Sequence, residues 1–222
     1  MRHALTALSL ALLLAAAPRA ARGANVADAW EAIAAVRSDL AASGHLQADF
    51  TQTYTPAGFT QGESERGRLA LALPDCLRWD YTDPFPKSFL LCGKDTYAWN
   101  PGETTGRHGR LEAQDATGLD LLLLPLEQLR LRYEAALATA ADGTATVALK
   151  PRLPAAPKGA TKHAAAVASA TLTLDAAHHR LLALAYRDAE GNLTRFDVSD
   201  YRVTPEARLF EPPAAIAWQE AE

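Results

Sequence analysis

The sequence predicts a mainly β chain of antiparallel meanders, curved around a small helical content. Three observations carry that expectation. Apolar residues recur with a period of two through most of the chain, which gives strands one greasy and one polar face. The strands follow one another through short turns, and no long helical crossover joins any two of them. Helical spacing is confined to one stretch near the amino terminus and one leucine-rich stretch in the middle. About ten strands and two or three helices result.

The stretch Gly67 to Asn100 is the clearest. Leu69, Leu71 and Leu73 alternate with Arg68, Ala70 and Ala72. After Pro74-Asp75, Leu77, Trp79 and Tyr81 alternate with Arg78 and Asp80. Thr82-Asp83-Pro84 turns the chain, Phe89 and Leu91 resume the apolar row, and Gly93-Lys94 turns it again before Tyr97 and Trp99. Four short strands are expected here, and their apolar face must be covered by another element.

Both cysteines lie in this stretch, at equal distances from Pro84: Cys76 before it and Cys92 after it. A hairpin centred there sets them opposite each other at roughly 4.5–5.5 Å between Cα atoms, within disulfide reach. Closing the loop would contribute about 3 kcal/mol in the chain-entropy model. Two buried free thiols are the other reading of the same residues.

At the amino terminus, Arg2 precedes an apolar run, Ala4 to Ala17, which ends at Pro18 and two arginines. This three-part form is that of a secretory signal peptide. The run falls short of the roughly 20 residues that span a bilayer. Ala21-Arg22-Gly23 suits cleavage, so residues 1–23 are expected to be removed, and an uncleaved anchor is the alternative. No Cys follows the run, which leaves no lipidation site there, and no twin Arg precedes it. An exported protein is expected. Residues 24–222 suit a single domain of roughly 200 residues with a sizeable core. The charge of −4, from 22 Lys+Arg and 26 Asp+Glu, gives no electrostatic footprint for nucleic acid.

Asn25 is placed to cap a helix over Val26 to Ser43. Val26, Trp30, Ile33, Val36 or Arg37, and Leu40 form its stripe, Glu31, Arg37 and Asp39 its polar side, and Gly44 its end. Leu46, Ala48, Phe50, Gln52 and Tyr54 then share one side of a strand. Pro56 to Glu65 reads as a polar loop. Pro101 to Thr117 reads as an exposed, mobile loop with one short strand. Gly118 to Arg130, with Leu119, Leu121 to Leu124 and Leu126, predicts a short helix broken by Pro125 and buried on most sides. Asp142-Gly143 marks a hairpin between Arg132 to Thr139 and Thr144 to Lys150. Pro151 to Ala168 reads as a flexible insertion. Ser169 to Asp175, Arg180 to Arg187 and Leu193 to Arg202 form a last meander, and Phe210-Glu211-Pro212-Pro213 is expected to end regular structure.

Catalytic constellations do not assemble from these residues. Gly62-Glu63-Ser64-Glu65-Arg66 lacks the second Gly of a nucleophile elbow and sits in a polar loop. His178-His179 lacks Cys or carboxylate company for a metal. Asp80 and Asp83 read as a solvated strand residue and a turn residue before Pro84. No phosphate-cradling Gly loop occurs. Asn192-Leu193-Thr194 matches a glycosylation acceptor, which matters only in a eukaryotic secretory pathway. No metal or cofactor is expected. The aromatic and aliphatic wealth of the strands fits either an ordinary core or a cavity for acyl chains, in which each buried CH₂ is worth about 0.8 kcal/mol.

The order Leu46-x-Ala48-x-Phe50-x-Gln52, Gly67-x-Leu69, Pro74, Leu77-Arg78-Trp79-x-Tyr81-x-x-Pro84, Gly93-Lys94 and Trp99-Asn100-Pro101 resembles the LolA family, periplasmic carriers of lipoproteins in Gram-negative bacteria. Leu149-Lys150-Pro151, Asp188 with Gly191 and Thr194, and Phe210-x-Pro212-Pro213 continue the order. The resemblance implies an unclosed, strongly curved antiparallel half-barrel with a helical lid, and acyl chains held between the concave face and the lid. It implies two partners, an ATP-driven (ABC-type) inner-membrane lipoprotein release complex and an outer-membrane acceptor lipoprotein. A monomer is expected, with no covalent chemistry and no cofactor. On that reading Phe50, Leu69, Leu71, Leu77, Trp79, Tyr81, Phe89, Leu91 and Trp99 line the cavity, with Leu122 and Leu123 on the lid.

Two positions depart from the family pattern. Such carriers commonly place an Arg, tied to lid closure and release, directly before the proline that corresponds to Pro74; here it is Leu73. The position before Gly93-Lys94 is commonly Asp; here it is Cys92. A related carrier of a glycolipid or other envelope lipid, and a periplasmic sensor or adaptor built on the same half-barrel, remain alternatives.

Overall fold

The computed structural model describes residues 26–110, 120–139, 143–152, 167–175, 177 and 179–220. The expected signal peptide, the Asn25 cap, most of the 151–168 insertion and His178 lie outside them.

The chain opens with α1 (Val26–Ala42). Ala29, Trp30, Ile33, Val36 and Leu40 form its buried stripe, none more than 6% exposed. Gly44, at φ +72°, takes the left-handed position past the last turn, where other residues are strained. The chain then enters β1 (Leu46–Thr55). There follow β2 (Glu63–Ala72), β3 (Cys76–Asp83), β4 (Lys87–Cys92), β5 (Asp95–Trp99) and β6 (Thr105–Arg110). Two short helices, α2 (Asp120–Leu123) and α3 (Leu126–Arg132), flank Pro125. The second half comprises β7 (Tyr133–Thr139), β8 (Thr144–Pro151), β9 (Val167–Asp175), β10 (Arg180–Asp188) and β11 (Leu193–Val203). A single 3-10 turn (Ala207–Phe210) and β12 (Ala217–Glu220) follow.

All twelve strands form one sheet in the order β12-β6-β5-β4-β3-β2-β1-β11-β10-β9-β8-β7. Every pairing is antiparallel except that of β12 with β6. The two edges, β12 and β7, do not pair with each other, so the sheet is an unclosed half-barrel. Register shifts between β1 and β11, β2 and β3, and β9 and β10 add the local bend that curls a sheet. The helices cover its inner face, with the backbone of α1 closest to β7 and β10 and that of α3 closest to β7. One core runs from the α1 stripe through Leu129 to Leu46, Leu71, Leu77, Val147, Leu172 and Phe196.

Three expectations need correction. β2 begins at Glu63, inside the stretch read as loop, because Glu63 and Glu65 pair with Tyr54 and Gln52 and extend the hairpin. The Phe210-Pro213 segment does not end regular structure. Ile216 and Trp218 are apolar and must be buried somewhere; they come down beside Gly106, and β12 adds to the β6 edge. The described residues therefore form twelve strands.

Candidate functional site

Residues directly opposite on neighbouring strands point to the same face, so the register sorts the candidate lining residues. Leu71 pairs with Leu77, Leu77 with Leu91, Leu69 with Trp79, and Trp79 with Phe89. Phe50 and Tyr81 both pair with Gly67, and the two rings meet edge-on at 5.1 Å. Gly67 is small of necessity, since a Cβ there would overlap the Asp80 carbonyl and the Phe50 ring. Phe50, Leu69, Leu71, Leu77, Trp79, Tyr81, Phe89 and Leu91 thus share the inner face. Leu122 is buried against it and Leu123 half-buried.

Trp99 does not join them. It pairs with Ser88, which pairs with Asp80, and this row looks outward. There Arg78 lies 5.0 Å over its ring and Trp218 packs edge-on at 5.9 Å. The outer face over β3–β6 carries its own small apolar layer, with the 3-10 turn against β3 and the Trp218 ring of β12 beside Trp99. A large hydrophobe on that strand therefore has two faces open to it. The sequence signal for the second was present: the apolar residues Phe210, Ile216 and Trp218 follow the last long strand.

Cys76 and Cys92 are paired in register and joined in a disulfide, with Cα atoms 4.2 Å apart. The bridge clamps β3 to β4 on the outer face, and the Cys92 sulfur lies 3.6 Å from the Phe210 carbonyl oxygen.

On the inner face the aliphatic surface grades into a polar end. The Tyr81 hydroxyl donates to the Gln52 side-chain oxygen. Burial, and next the Glu65 carboxylate, push the Tyr81 phenol well above its ordinary range. The Lys87 ammonium is held by both oxygens of Glu65 at 2.8 and 2.9 Å and sits 4.4 Å over the Tyr81 ring. Next to Lys87 the sheet is open among the described residues. An open cavity of about 430 Å³ is lined there by Lys87, Phe89, Ala98, Arg107 and Gln219, among others.

Sequence reasoning misses one residue that ties the cover together. Helical periodicity leaves Arg37 of α1 between the apolar stripe and the polar side. Its guanidinium is half-buried and donates to the Leu122 carbonyl oxygen of α2 at 2.7 Å. Desolvation lowers its pKa. Leu73, at the family's arginine position, instead packs against the core.

The residues weighed for catalysis are dispersed. Asp80 accepts from Arg78 at 2.9–3.0 Å. Ser64 meets Thr53 at 3.0 Å on the exposed hairpin. His179 meets Asp39 at 2.8 Å. No group of three or more potential metal ligands occurs among the described residues.

Residues 42–213 match the family model "Outer membrane lipoprotein carrier protein LolA". The chain belongs to the LolA family. A protein of Chromobacterium violaceum named outer-membrane lipoprotein carrier protein is 33% identical over 96 residues, 43% of this chain. That match spans only 41% of the relative's length. A Shewanella sediminis protein of the same name is 26% identical over 166 residues, 74% of this chain and 72% of the relative. Among solved structures, an uncharacterized conserved protein from Thermus thermophilus superposes with a TM-score of 0.54 at 15% identity. The match covers 87% of this chain and 99% of that one, a likeness of fold.

Proposed function

We propose that this LolA-family chain is a non-enzymatic periplasmic carrier that shields the acyl chains of lipoproteins between its inner face and its helical cover. The observation that carries this reading is a family match across nearly the whole sheet that coincides with a continuous apolar inner face. That face is roofed by α1 and two short helices rather than by a second sheet. Leu69, Leu71 and Leu77 are at most 2% exposed, so an acyl chain enters only when the cover moves. Burying ten methylenes would supply about 8 kcal/mol. That is enough to replace contacts made by a few helical leucines and to leave binding reversible. Marginally held elements are the ones that open.

In this reading cargo comes from an ATP-driven inner-membrane release complex and passes to an outer-membrane acceptor lipoprotein. No bond is made or broken. The disulfide fits an oxidising compartment, in keeping with export by residues 1–23. The test is native mass spectrometry of protein purified from the periplasm without detergent, with the bound lipid identified. A triacylated lipopeptide displaced by competing acyl chains is the expected result. A bound glycolipid or phospholipid would replace the cargo assignment. A clean apo mass, with no uptake of a fluorescent acyl probe, would overturn carriage and leave the inner face as ordinary core.

A further inference from the structure

One cross-strand row of the inner face runs Ala48, Leu69, Trp79, Phe89, Ala98, Arg107, Gln219, one residue from each of seven strands. Its character changes steadily. Ala48 and Leu69 are 0% and 2% exposed. Trp79 and Phe89 are half-buried and stacked, with ring centres 5.3 Å apart at 19°. Ala98 is half-buried, and Arg107 and Gln219 are exposed in the open cavity. From Leu69 to Arg107 the row crosses four strand spacings, roughly 19 Å. It is an amphiphile's profile laid across the sheet, apolar at one end and cationic at the other.

We propose that Arg107, with Lys87 and Gln219, forms a subsite for the anionic group, a carboxylate or phosphate, of an acylated ligand whose chain lies along Phe89 and Trp79. The Arg107 guanidinium makes no hydrogen bond or ion pair with the described residues. Its planar fork matches carboxylate and phosphate oxygens. Lys87 lines the same cavity one row away, at the register position of Tyr81. Its charge is shared with Glu65, so a bound anion draws on the ammonium's remaining donors. The other acid at the cavity, Glu103, accepts from the Asn100 amide at 3.0 Å. Of the two cations that line the cavity, Arg107 is the one with no carboxylate bonded to it among the described residues.

This subsite rests on the carrier reading, and the test separates the two. A fluorescent long-chain fatty acid and its methyl ester are titrated into the protein, its Arg107→Gln variant and its Lys87→Gln variant, with inorganic phosphate as competitor. The acid should bind wild type roughly tenfold more tightly than the ester, the discrimination of one charge-assisted contact. Arg107→Gln should bring the acid to the ester's affinity and leave the ester unchanged. Lys87→Gln should narrow the gap in the same direction. Millimolar phosphate should leave the acid bound, which marks a head-group subsite; displacement by phosphate would show a free-anion site and overturn the proposal. Equal binding of acid and ester to wild type, or an undiminished gap in Arg107→Gln, overturns the subsite and leaves carriage standing. Failure of both probes to bind overturns carriage and the subsite with it.

Discussion

The Arg37 guanidinium on α1 reaches across to the Leu122 carbonyl of α2 at 2.7 Å. α2 is only four residues long, so its last carbonyls find no partner within the helix. A charged donor satisfies one of them in a half-buried setting, where such a bond is stronger than in water. Because Leu73 occupies the position where the family resemblance expects an Arg, the cation that ties the cover comes here from a helix and not from the sheet.

Arg37→Met keeps the aliphatic packing and removes the donor. Loss of a charged hydrogen bond of this kind costs about 1.5–3 kcal/mol. Hydrogen exchange at residues 120–123 should accelerate by roughly ten- to a hundredfold, and an acyl probe should enter faster. Unchanged protection of α2 would show that leucine packing alone holds it.

The disulfide gives the second prediction. Its cysteines are 16 residues apart, and the loop-entropy model assigns such a bridge about 3 kcal/mol. Cys76→Ser with Cys92→Ser should lower the melting temperature by roughly 6–12 °C in calorimetry. Reductant should do the same to wild type and nothing to the double variant. A reductant-sensitive melt in the double variant would place the effect elsewhere.

How legible this molecule was depends on what fixed each residue's face. The cysteine pairing could be counted outward from Asp83-Pro84, because a hairpin's register follows from its turn. The inner face of Leu69, Leu77 and Trp79 could be read from alternation alone, since Arg68, Arg78 and Asp80 mark the other side. Trp99 could not. Ala98 and Trp99 offer both faces something apolar, and only the return of Ile216 and Trp218 over the outer face decides between them. Arg37 was illegible for a related reason: helical periodicity placed it at the boundary of the apolar stripe, and its partner is a backbone carbonyl, which no side-chain pattern reveals.

The β12 edge should loosen with alkali. His108 Nδ1 lies 2.9 Å from Glu220 and Nε2 lies 3.6 Å from Asp95. The hydrogen bond to Glu220, chiefly, raises the His108 pKa above its ordinary 6.5. A raised folded-state pKa contributes stability that is whole below pH 6.5 and is lost as pH climbs through the higher folded value. Trp218 packs on Tyr97 at 5.0 Å, and Tyr97 stacks on His108 at 4.7 Å. Exchange at 217–220 should therefore quicken with pH beyond the intrinsic chemical dependence. The excess should vanish in His108→Gln. A pH profile shared by both proteins would remove His108 from the account.

The two tryptophans on opposite faces separate carriage from stability. Trp79→Asp sets a carboxylate against Phe89 in the middle of the inner row. A charge facing an acyl chain is left unpaired and desolvated, so acyl-probe binding should be abolished even where circular dichroism shows a folded sheet. Trp99→Leu removes the same residue type from the outer layer, where it packs on Trp218 and under Arg78. That cavity should cost roughly 1–3 kcal/mol, seen as a melting temperature lower by about 2–12 °C, with probe affinity unchanged. The pair is informative because each variant controls for the other. Binding lost in Trp99→Leu and kept in a folded Trp79→Asp would reverse the assignment of faces to function, and with it the proposal that the helix-covered side receives the lipid.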